Sequence, residues 1–274
     1  MDLSGMRVAL LEGRKTERLA SLVRRFGGEP YCVPAVRQQP RACADEVLAL
    51  LAQLERETSP VIVFSSGLGV SALFNEARKV DRSIELKEAL QRAATVCRGP
   101  KPVAALKREG LETSIRVKEP YTTSELLAAL DPLPLKERFV FLLHYGERNL
   151  LLAESLLGRC AGLQELLLHS WALPEDTLPL HKLVRELIAC RVGAIAFTSQ
   201  VQARHLFSIA AVAGLRSELI SAFHSHALVA AVGPNSASAL ESLGVAPHVV
   251  PEQPKIAAMI ESLARYVSQQ RGAA

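Results

Sequence analysis

The sequence lacks the features of a membrane, secreted or disulfide-rich protein. No apolar run reaches the roughly 20 residues that a membrane-spanning helix needs, and the start of the chain shows no signal-peptide pattern. The five cysteines form no CxxC pair and leave one without a partner, which is typical of reduced thiols. We therefore expect a cytoplasmic protein with no membrane partner.

The sequence also has few aromatic residues and no large excess of one charge. Aromatics make up only 5% of the chain, too few for the stacking platforms of a single-strand binder, and no basic helix or zinc-finger spacing occurs. The 32 basic and 28 acidic residues are spread along the chain and give a net charge of +4. This balance argues against a nucleic-acid partner and is mildly suited to an anionic ligand.

Recognised catalytic motifs are missing as well. The seven histidines form no HExxH motif and show no metal-ligand spacing, and no cysteine–histidine pairing stands out. We therefore expect no metal, and a function in which binding and positioning outweigh a strong acid, base or nucleophile.

The chain does contain enough apolar material for two packed domains. It has 274 residues, 49% of them apolar, which exceeds one typical domain. Short apolar or β-branched segments alternate with amphipathic stretches of helical length, a pattern that predicts βαβ units in parallel sheets. The predicted strands are residues 8–11, 31–36, 61–64, 95–97, 115–117, 139–143, 166–171, 194–197, 228–232 and 248–250.

An internal repeat with an offset of about 133 residues relates the two halves. The run VIVFSS at residues 61–66 recurs as AIAFTS at residues 194–199, and the Gly-Pro pair at residues 99–100 recurs at residues 233–234. Because duplicated spacing reflects a duplicated structural unit, we predict two copies of one α/β domain.

Two apolar, extended segments, residues 31–36 and 166–171, are each followed by a proline and could pair as a two-stranded bridge. A plain tandem pair of domains is the alternative. The predicted domains are a discontinuous lobe of residues 1–36 plus 172–274, an inserted lobe of residues 41–165, and bridging strands within residues 31–40 and 166–174.

Candidate binding residues follow the predicted strands. Ligands of open parallel sheets bind beyond the carboxyl ends of the strands, where helix N-termini offer N–H groups. Serine and threonine hydroxyls there either cap the helix or bind a ligand carboxylate, and arginines either pair with such a carboxylate or are solvated. The candidates of this kind are Arg14, Ser65, Ser66, Arg98, Thr122, Thr198 and Ser199.

The two Gly-Pro turns are either ordinary βα connections or part of the same site. Neither is a GxGxxG or Walker loop, so nucleotide binding has little support. Tyr145, after the sixth predicted strand, either faces the ligand or packs internally. The candidate residues of the two turns are Gly99, Lys101, Gly233, Asn235 and Ser236.

These motifs, in their order, resemble one family. The runs VIVFSSGLGVSALF, AIAFTSQVQARHLF, AAVGPNSASALESLGV with VVPEQP behind it, and LLLHSWALPED resemble uroporphyrinogen-III synthases over essentially the whole chain. The resemblance implies two flavodoxin-like lobes joined by a two-stranded bridge, with the active site in the cleft between them. It also implies hydroxymethylbilane as substrate and no cofactor or metal.

The resemblance further implies a reaction. Loss of the terminal hydroxyl gives an azafulvene cation, which forms a spirocyclic pyrrolenine and rearranges so that ring D is inverted in the macrocycle. The enzyme folds the bilane and biases which carbon of ring D is attacked, in the pathway towards heme, siroheme and cobalamin. A monomer is expected, because the two lobes already form the site.

The sequence departs from the family at one position. The bridge strand of the family usually carries a tyrosine that assists departure of the hydroxyl, where this sequence has His169. Histidine could donate that proton or could be a bystander. Asn235 and Ser236 keep the hydrogen-bonding capacity of the family's second turn, whereas Pro102 replaces a donor in the first.

Two alternatives to a synthase stay open at this point. One is a non-catalytic, two-lobed ligand-binding or regulatory module similar to periplasmic-type receptors. The other is a protein that keeps the synthase fold without turnover, which the histidine at position 169 makes possible. Turnover of the bilane distinguishes the synthase from both.

Overall fold

The computed structural model describes residues 1–13 and 16–272, and Arg14 lies outside them. The chain divides into two compact units, which we call lobe 1 (Met1–Arg37 with Ala172–Ala274) and lobe 2 (Gln38–Trp171). Among the described residues, no helix is long and apolar enough to cross a membrane.

Strands and helices alternate along the chain. The strands are β1 Arg7–Leu10, β2 Glu29–Cys32, β3 Arg37–Pro40, β4 Val61–Phe64, β5 Ala94–Cys97, β6 Ile115–Arg116, β7 Phe139–Leu143, β8 Gly162–Leu166, β9 His169–Ala172, β10 Ala194–Phe197 and β11 Leu228–Ala231. The helices are α1 Thr16–Arg25, α2 Ala44–Arg56, α3 Gly67–Lys79, α4 Ser83–Arg92, α5 Pro100–Arg108, α6 Thr123–Leu130, α7 Leu150–Leu157, α8 Leu178–Ile188, α9 Gln200–Val212, α10 Arg216–Ser225, α11 Pro234–Ser242 and α12 Ile256–Gly272, with a 3₁₀ turn at Leu135–Glu137.

Lobe 1 is built on a parallel sheet in the order β11-β10-β1-β2. β10 and β11 are short and apolar because helices cover both faces, and every residue of β10 is buried. Phe197, Phe207 and Phe223 pack in the core on one face. Val8 and Met259 belong to the core on the other face, to which α1 and α12 contribute.

Lobe 2 is built on a parallel sheet in the order β6-β5-β4-β7-β8. The central strand β4 is fully buried, with Ile62 and Phe64 in one core cluster and Val61 and Val63 in the other. This alternation follows from the period of two along a strand. The mixed α/β fold with two parallel-sheet lobes, predicted from the sequence, is confirmed.

The internal repeat is visible in the elements themselves. In lobe 2, β4 has four residues and α3 has 13, and 133 residues later β10 and α9 of lobe 1 have the same lengths. The strand β5 and the helix α5, with four and nine residues, likewise recur as β11 and α11. The duplication inferred from the sequence is therefore a duplication of strand–helix units.

The two-stranded pair lies within the predicted bridging ranges, residues 31–40 and 166–174, but starts later in each range than the apolar segments do. β3 pairs with β9, whereas residues 31 and 32 belong to β2 and extend the sheet of lobe 1. The N–H groups of Val33 and Ala35 still donate to the carbonyls of Leu10 and Leu11, at 2.9 and 3.1 Å, so this segment stays alongside β1. Residues 31–36 therefore do not form this pair themselves, because their apolar pattern belongs to the sheet of lobe 1.

The second predicted bridging segment, residues 166–171, divides between two strands. It contains the last residue of β8 and the first residues of β9. β8 has the sequence GLQEL, whose polar residues interrupt the apolar pattern that predicts a buried strand. Residues 248–250 contribute an isolated bridge, Val249 with Ala230, in place of a full strand.

Candidate functional site

The turn between β4 and α3 places two buried serines at the carboxyl end of the central strand of lobe 2. Ser66 caps α3, because its Oγ accepts a hydrogen bond from the N–H of Gly69 at 3.0 Å. A hydroxyl that accepts in this way still has its own proton to donate. A Cβ on Gly67 would lie 2.7 Å from the carbonyl oxygen of Lys101, so glycine allows the starts of α3 and α5 to approach closely.

The neighbouring turn after β5 carries the charged candidates. Gly99 has φ +100° and precedes Pro100 at the start of α5, an arrangement that suits glycine and proline. Lys101 is exposed, whereas Arg98 is half-buried. Burial lowers the pKa of Arg98, an effect that the nearby phenol of Tyr145 partly opposes. Within residues 1–13 and 16–272, no carboxylate forms an ion pair with this guanidinium.

A tyrosine that the sequence analysis did not select lies against this turn. A Cβ on Gly99 would be 3.4 Å from the ring of Tyr121, which itself has the rare φ of +62°. The next residue, Thr122, caps α6 in a capping box with Glu125, and its hydroxyl lies within hydrogen-bond distance of that carboxylate. Those hydrogen bonds from Thr122 hold the pKa of Glu125 below its usual range. The structure thus shows Thr122 in the capping role.

An aromatic cluster follows β7 and β8. The ring of Tyr145 meets His169 and Trp171 edge-on, with centroid distances of 6.1 and 5.3 Å. The indole N–H of Trp171 donates to the carbonyl oxygen of Tyr145 at 3.2 Å. Gly146 has φ +66°, and a Cβ there would lie 2.3 Å from the indole nitrogen, so glycine is required. Tyr145 is half-buried, whereas His169 is only 1% exposed.

A hydrogen-bonded group next to this cluster was also missed. Nε2 of His144 lies 2.7 Å from the carboxylate of Glu165. The same carboxylate accepts two hydrogen bonds from the guanidinium of Arg148, at 2.7 and 2.6 Å. The Arg148 contact is the main reason why the pKa of Glu165 lies below its usual range. Burial lowers the pKa of His144, although Glu165 opposes this shift.

The turn between β10 and α9 of lobe 1 is equivalent to the turn between β4 and α3, but its hydroxyl groups have different partners. Ser199 caps α9 in a capping box with Gln202, and the N–H of Thr198 donates to the Gln202 side chain at 2.8 Å. The hydroxyl of Thr198 donates to the carboxylate of Glu12, which lies just beyond β1. A negative charge therefore occupies the carboxyl end of this sheet, beside a hydroxyl predicted to bind an anion.

The second turn of lobe 1 packs tightly. Gly233 has an extended backbone, and its lack of a side chain matters because a Cβ would lie 2.8 Å from Cβ of Pro254. Ser236 is buried within α11, and Asn235 is exposed at the start of that helix.

The sequence candidates therefore fall into two sets, one in each lobe, and all of them except His169, the first residue of β9, lie in or near turns that follow strands. The set of lobe 2 comprises Ser65, Ser66, Arg98, Gly99, Lys101, Thr122, Tyr145 and His169, and the set of lobe 1 comprises Thr198, Ser199, Gly233, Asn235 and Ser236. In the described part of the chain, no cluster of histidine, cysteine and acidic residues could hold a metal ion.

This fold, with donor sets at both sheet edges, can be compared with known families. The family described as Uroporphyrinogen-III synthase HemD matches residues 17–261. The chain belongs to this family. The resemblance stated from the sequence is therefore confirmed.

Individual relatives extend over nearly the whole chain. The uncharacterized protein YjjA of Bacillus subtilis (strain 168) is 31% identical over 267 residues, which cover 97% of this chain and 98% of that protein. A uroporphyrinogen III synthase variant of the extremely thermophilic bacterium Thermus thermophilus gives a TM-score of 0.76 at 25% identity, covering 96% of this chain and 99% of that one. The synthase of Helicobacter pylori 26695, 15% identical with a TM-score of 0.54, shares the fold over 96% of this chain and 99% of its own.

Proposed function

We propose that this protein is a uroporphyrinogen-III synthase, a lyase that cyclises hydroxymethylbilane with loss of water and inversion of ring D. The product serves tetrapyrrole biosynthesis towards heme, siroheme and cobalamin. The chain belongs to this family, and the observation that carries the proposal is the environment of Arg98. Its guanidinium is half-buried at the carboxyl end of a strand, and no carboxylate among the described residues forms an ion pair with it.

Arg98 suits the substrate because the bilane carries acetate and propionate side chains. A guanidinium pairs with a carboxylate through two parallel hydrogen bonds, and burial strengthens such contacts. We propose that Arg98 and Lys101 bind carboxylates of the bilane, with further hydrogen bonds from Ser65 and Ser66. The donors of lobe 1 are likewise proposed to bind carboxylates.

The protein's contribution to the chemistry is proposed to be positioning. The electrons of a pyrrole ring expel the terminal hydroxyl as water once that oxygen is protonated, so the chemistry needs no electron-accepting cofactor. Holding the folded bilane selects the carbon of ring D that is attacked, because the bound conformation decides which carbon lies next to the reactive terminus.

His169 remains the candidate proton donor, at the position of the family's tyrosine. Because its side chain is only 1% exposed, transfer of its proton to a bound hydroxyl requires a neighbouring side chain to move or to relay the proton. The same burial favours the second candidate function, a ligand-binding module without turnover.

The ratio of type III to type I uroporphyrinogen formed from fresh hydroxymethylbilane tests the proposal. Predominantly type III product with the protein, against type I without it, would support the synthase. Type I product alone, together with saturable binding of the bilane, would favour the binding module.

We also propose that the protein is cytoplasmic and monomeric. Light scattering of the purified protein would test its oligomeric state.

A further inference from the structure

One buried histidine beside Tyr145 makes contacts that the proposed function does not use. His144 is only 3% exposed and begins the turn of residues 144–149, between β7 and α7. Its Nδ1 accepts a hydrogen bond from the N–H of Asn149, the last residue of that turn, at 3.2 Å. The proton therefore sits on Nε2, which donates to Glu165 on β8. A single imidazole thus links the two ends of the turn to each other and to the next strand.

Asn149 extends this link to two helices. Its side-chain oxygen accepts from the N–H of Leu152 and so caps α7 at 3.1 Å, while its amide donates to the hydroxyl of Thr123 on α6 at 2.9 Å. The end of the turn is fixed by these contacts, and His144 ties the beginning of the turn to it.

The charges around His144 are those of Glu165, Arg148 and Arg98. Glu165 favours the protonated imidazole, whereas burial, the strongest effect, and the two arginines lower the pKa of His144. A protonated imidazole is a donor at both nitrogens, so it cannot accept the N–H of Asn149. The contact that closes the turn therefore exists only while His144 is neutral.

The closed turn carries the aromatic cluster. The carbonyl oxygen of Tyr145 accepts the indole N–H of Trp171, and Gly146 packs against the same indole. The ring of Tyr145 stands edge-on to Trp171 with 5.3 Å between centroids. The position of this ring at the sheet edge therefore depends on the turn that His144 closes.

We propose that neutral His144 is a positioning residue, which closes the turn of residues 144–149 and thereby holds Tyr145 against the bound substrate. Protonation of His144 in acid releases the contact with Asn149 and loosens the turn. This inference rests on the proposed function, because it assigns Tyr145 to the substrate of that reaction.

Two substitutions separate the contacts of His144. In His144→Asn, the side-chain oxygen replaces Nδ1 as acceptor for the N–H of Asn149 and does not titrate. In His144→Phe, the ring volume is kept and both hydrogen bonds are lost. His224→Asn is the matched control, because His224 is an exposed histidine of lobe 1.

The first measurement is the pH profile of kcat and KM for type III formation. We expect the kcat of the wild type to fall on the acid side, and His144→Asn to lose this acid limb while keeping kcat within about threefold near pH 8. His144→Phe should lower kcat about 10- to 100-fold at every pH, because misplacing a contact by about 1 Å costs this much. An acid limb retained in His144→Asn, or a wild-type kcat in His144→Phe, would overturn the inference.

The second measurement needs no turnover. Trp171 is the sole tryptophan, so its fluorescence reports on the turn directly. We expect an acid transition of the emission in the wild type and in His224→Asn, and its absence in His144→Asn. The same transition in all three proteins would refute the role of His144. Failure to form type III product, with the fluorescence difference present, would instead refute the proposed function alone.

Discussion

Replacing Arg98 by glutamine tests the candidate carboxylate site most directly. A structural arginine that pairs with a protein carboxylate would stabilise the fold, and its loss would be costly. Arg98 has no such carboxylate among residues 1–13 and 16–272, and burial lowers its pKa, so the folded protein gains little from its charge. Arg98→Gln should therefore leave stability nearly unchanged and impair binding of an anionic substrate.

The expected size of the binding defect follows from the interaction removed. A hydrogen bond to a charged group contributes about 1.5–3 kcal/mol, which corresponds to a rise in KM of about 10- to 150-fold. The kcat should change little if the carboxylate is held equally in the ground state and the transition state. The free energy of unfolding should stay within about 0.5 kcal/mol of the wild type or rise slightly, because a buried charge is removed.

The assay is the initial rate of type III formation against bilane concentration, paired with urea unfolding of each protein. Arg108→Gln is the matched control, since Arg108 is an exposed arginine of α5 in the same lobe. A KM for Arg98→Gln within about twofold of that control would refute the carboxylate role. A loss of several kcal/mol in unfolding would also contradict the reasoning, because it would make Arg98 a structural residue.

Further expected outcomes concern the buried histidines, Gly146 and Glu12. Burial lowers the pKa values of His144 and His248 in the folded protein. Below about pH 6.5 the unfolded chain therefore binds more protons than the folded protein does. The free energy of unfolding in urea should accordingly fall as the pH is lowered from about 7.5 to about 5. Replacing both histidines by asparagine should flatten that slope, and an unchanged slope would exclude them. Gly146→Ala should cost about 2–5 kcal/mol from backbone strain and overlap with Trp171, against about 1–2 for Gly110→Ala, where φ is +74° and only the flexible Lys87 tip is near. Equal costs in urea unfolding would mean that the indole moves freely. Glu12→Gln should lower KM for the bilane severalfold if Thr198 binds a substrate carboxylate, because the competing charge disappears; an unchanged KM would remove Thr198 from the site.

The sequence predicts the sheet strands well where they are continuous and apolar. The predicted bounds of two strands, Val61–Phe64 and Phe139–Leu143, agree with the structure at both ends. Strands buried on both faces consist of apolar residues throughout, which makes their ends visible in the sequence. The strand RQQP at Arg37–Pro40 falls within a predicted bridging range, but its own bounds are not predicted, since it is mostly exposed and carries no apolar pattern. The internal repeat is the strongest signal for the fold, because equal spacing of the motifs in two copies does not depend on the exact bounds of any one strand.

The candidate site was predictable only where position along the chain determines it. Arg98, Ser65 and Ser66 are predicted because they lie within two residues of the end of a strand. The contact of His144, directly after β7, with Glu165 on β8 joins residues 21 apart, and that of Thr198 with Glu12 joins residues 186 apart. Neither partner shows a local motif, because strand pairing alone brings such side chains together. Tyr121 was missed for a similar reason, since its left-handed backbone has no signature in a non-glycine residue.

The two lobes therefore share a backbone pattern and differ in the charges placed on it. The turn after β4 lies beside a half-buried arginine without a carboxylate partner in the described chain, whereas the equivalent turn after β10 lies beside the carboxylate of Glu12. Duplicated strand–helix junctions supply the same backbone donors in both lobes, so these donors alone cannot give the two sheet edges different preferences. The difference comes from single side chains at strand ends. An anionic ligand should accordingly bind more tightly to the donors of lobe 2, which is why Arg98 is the first position to test.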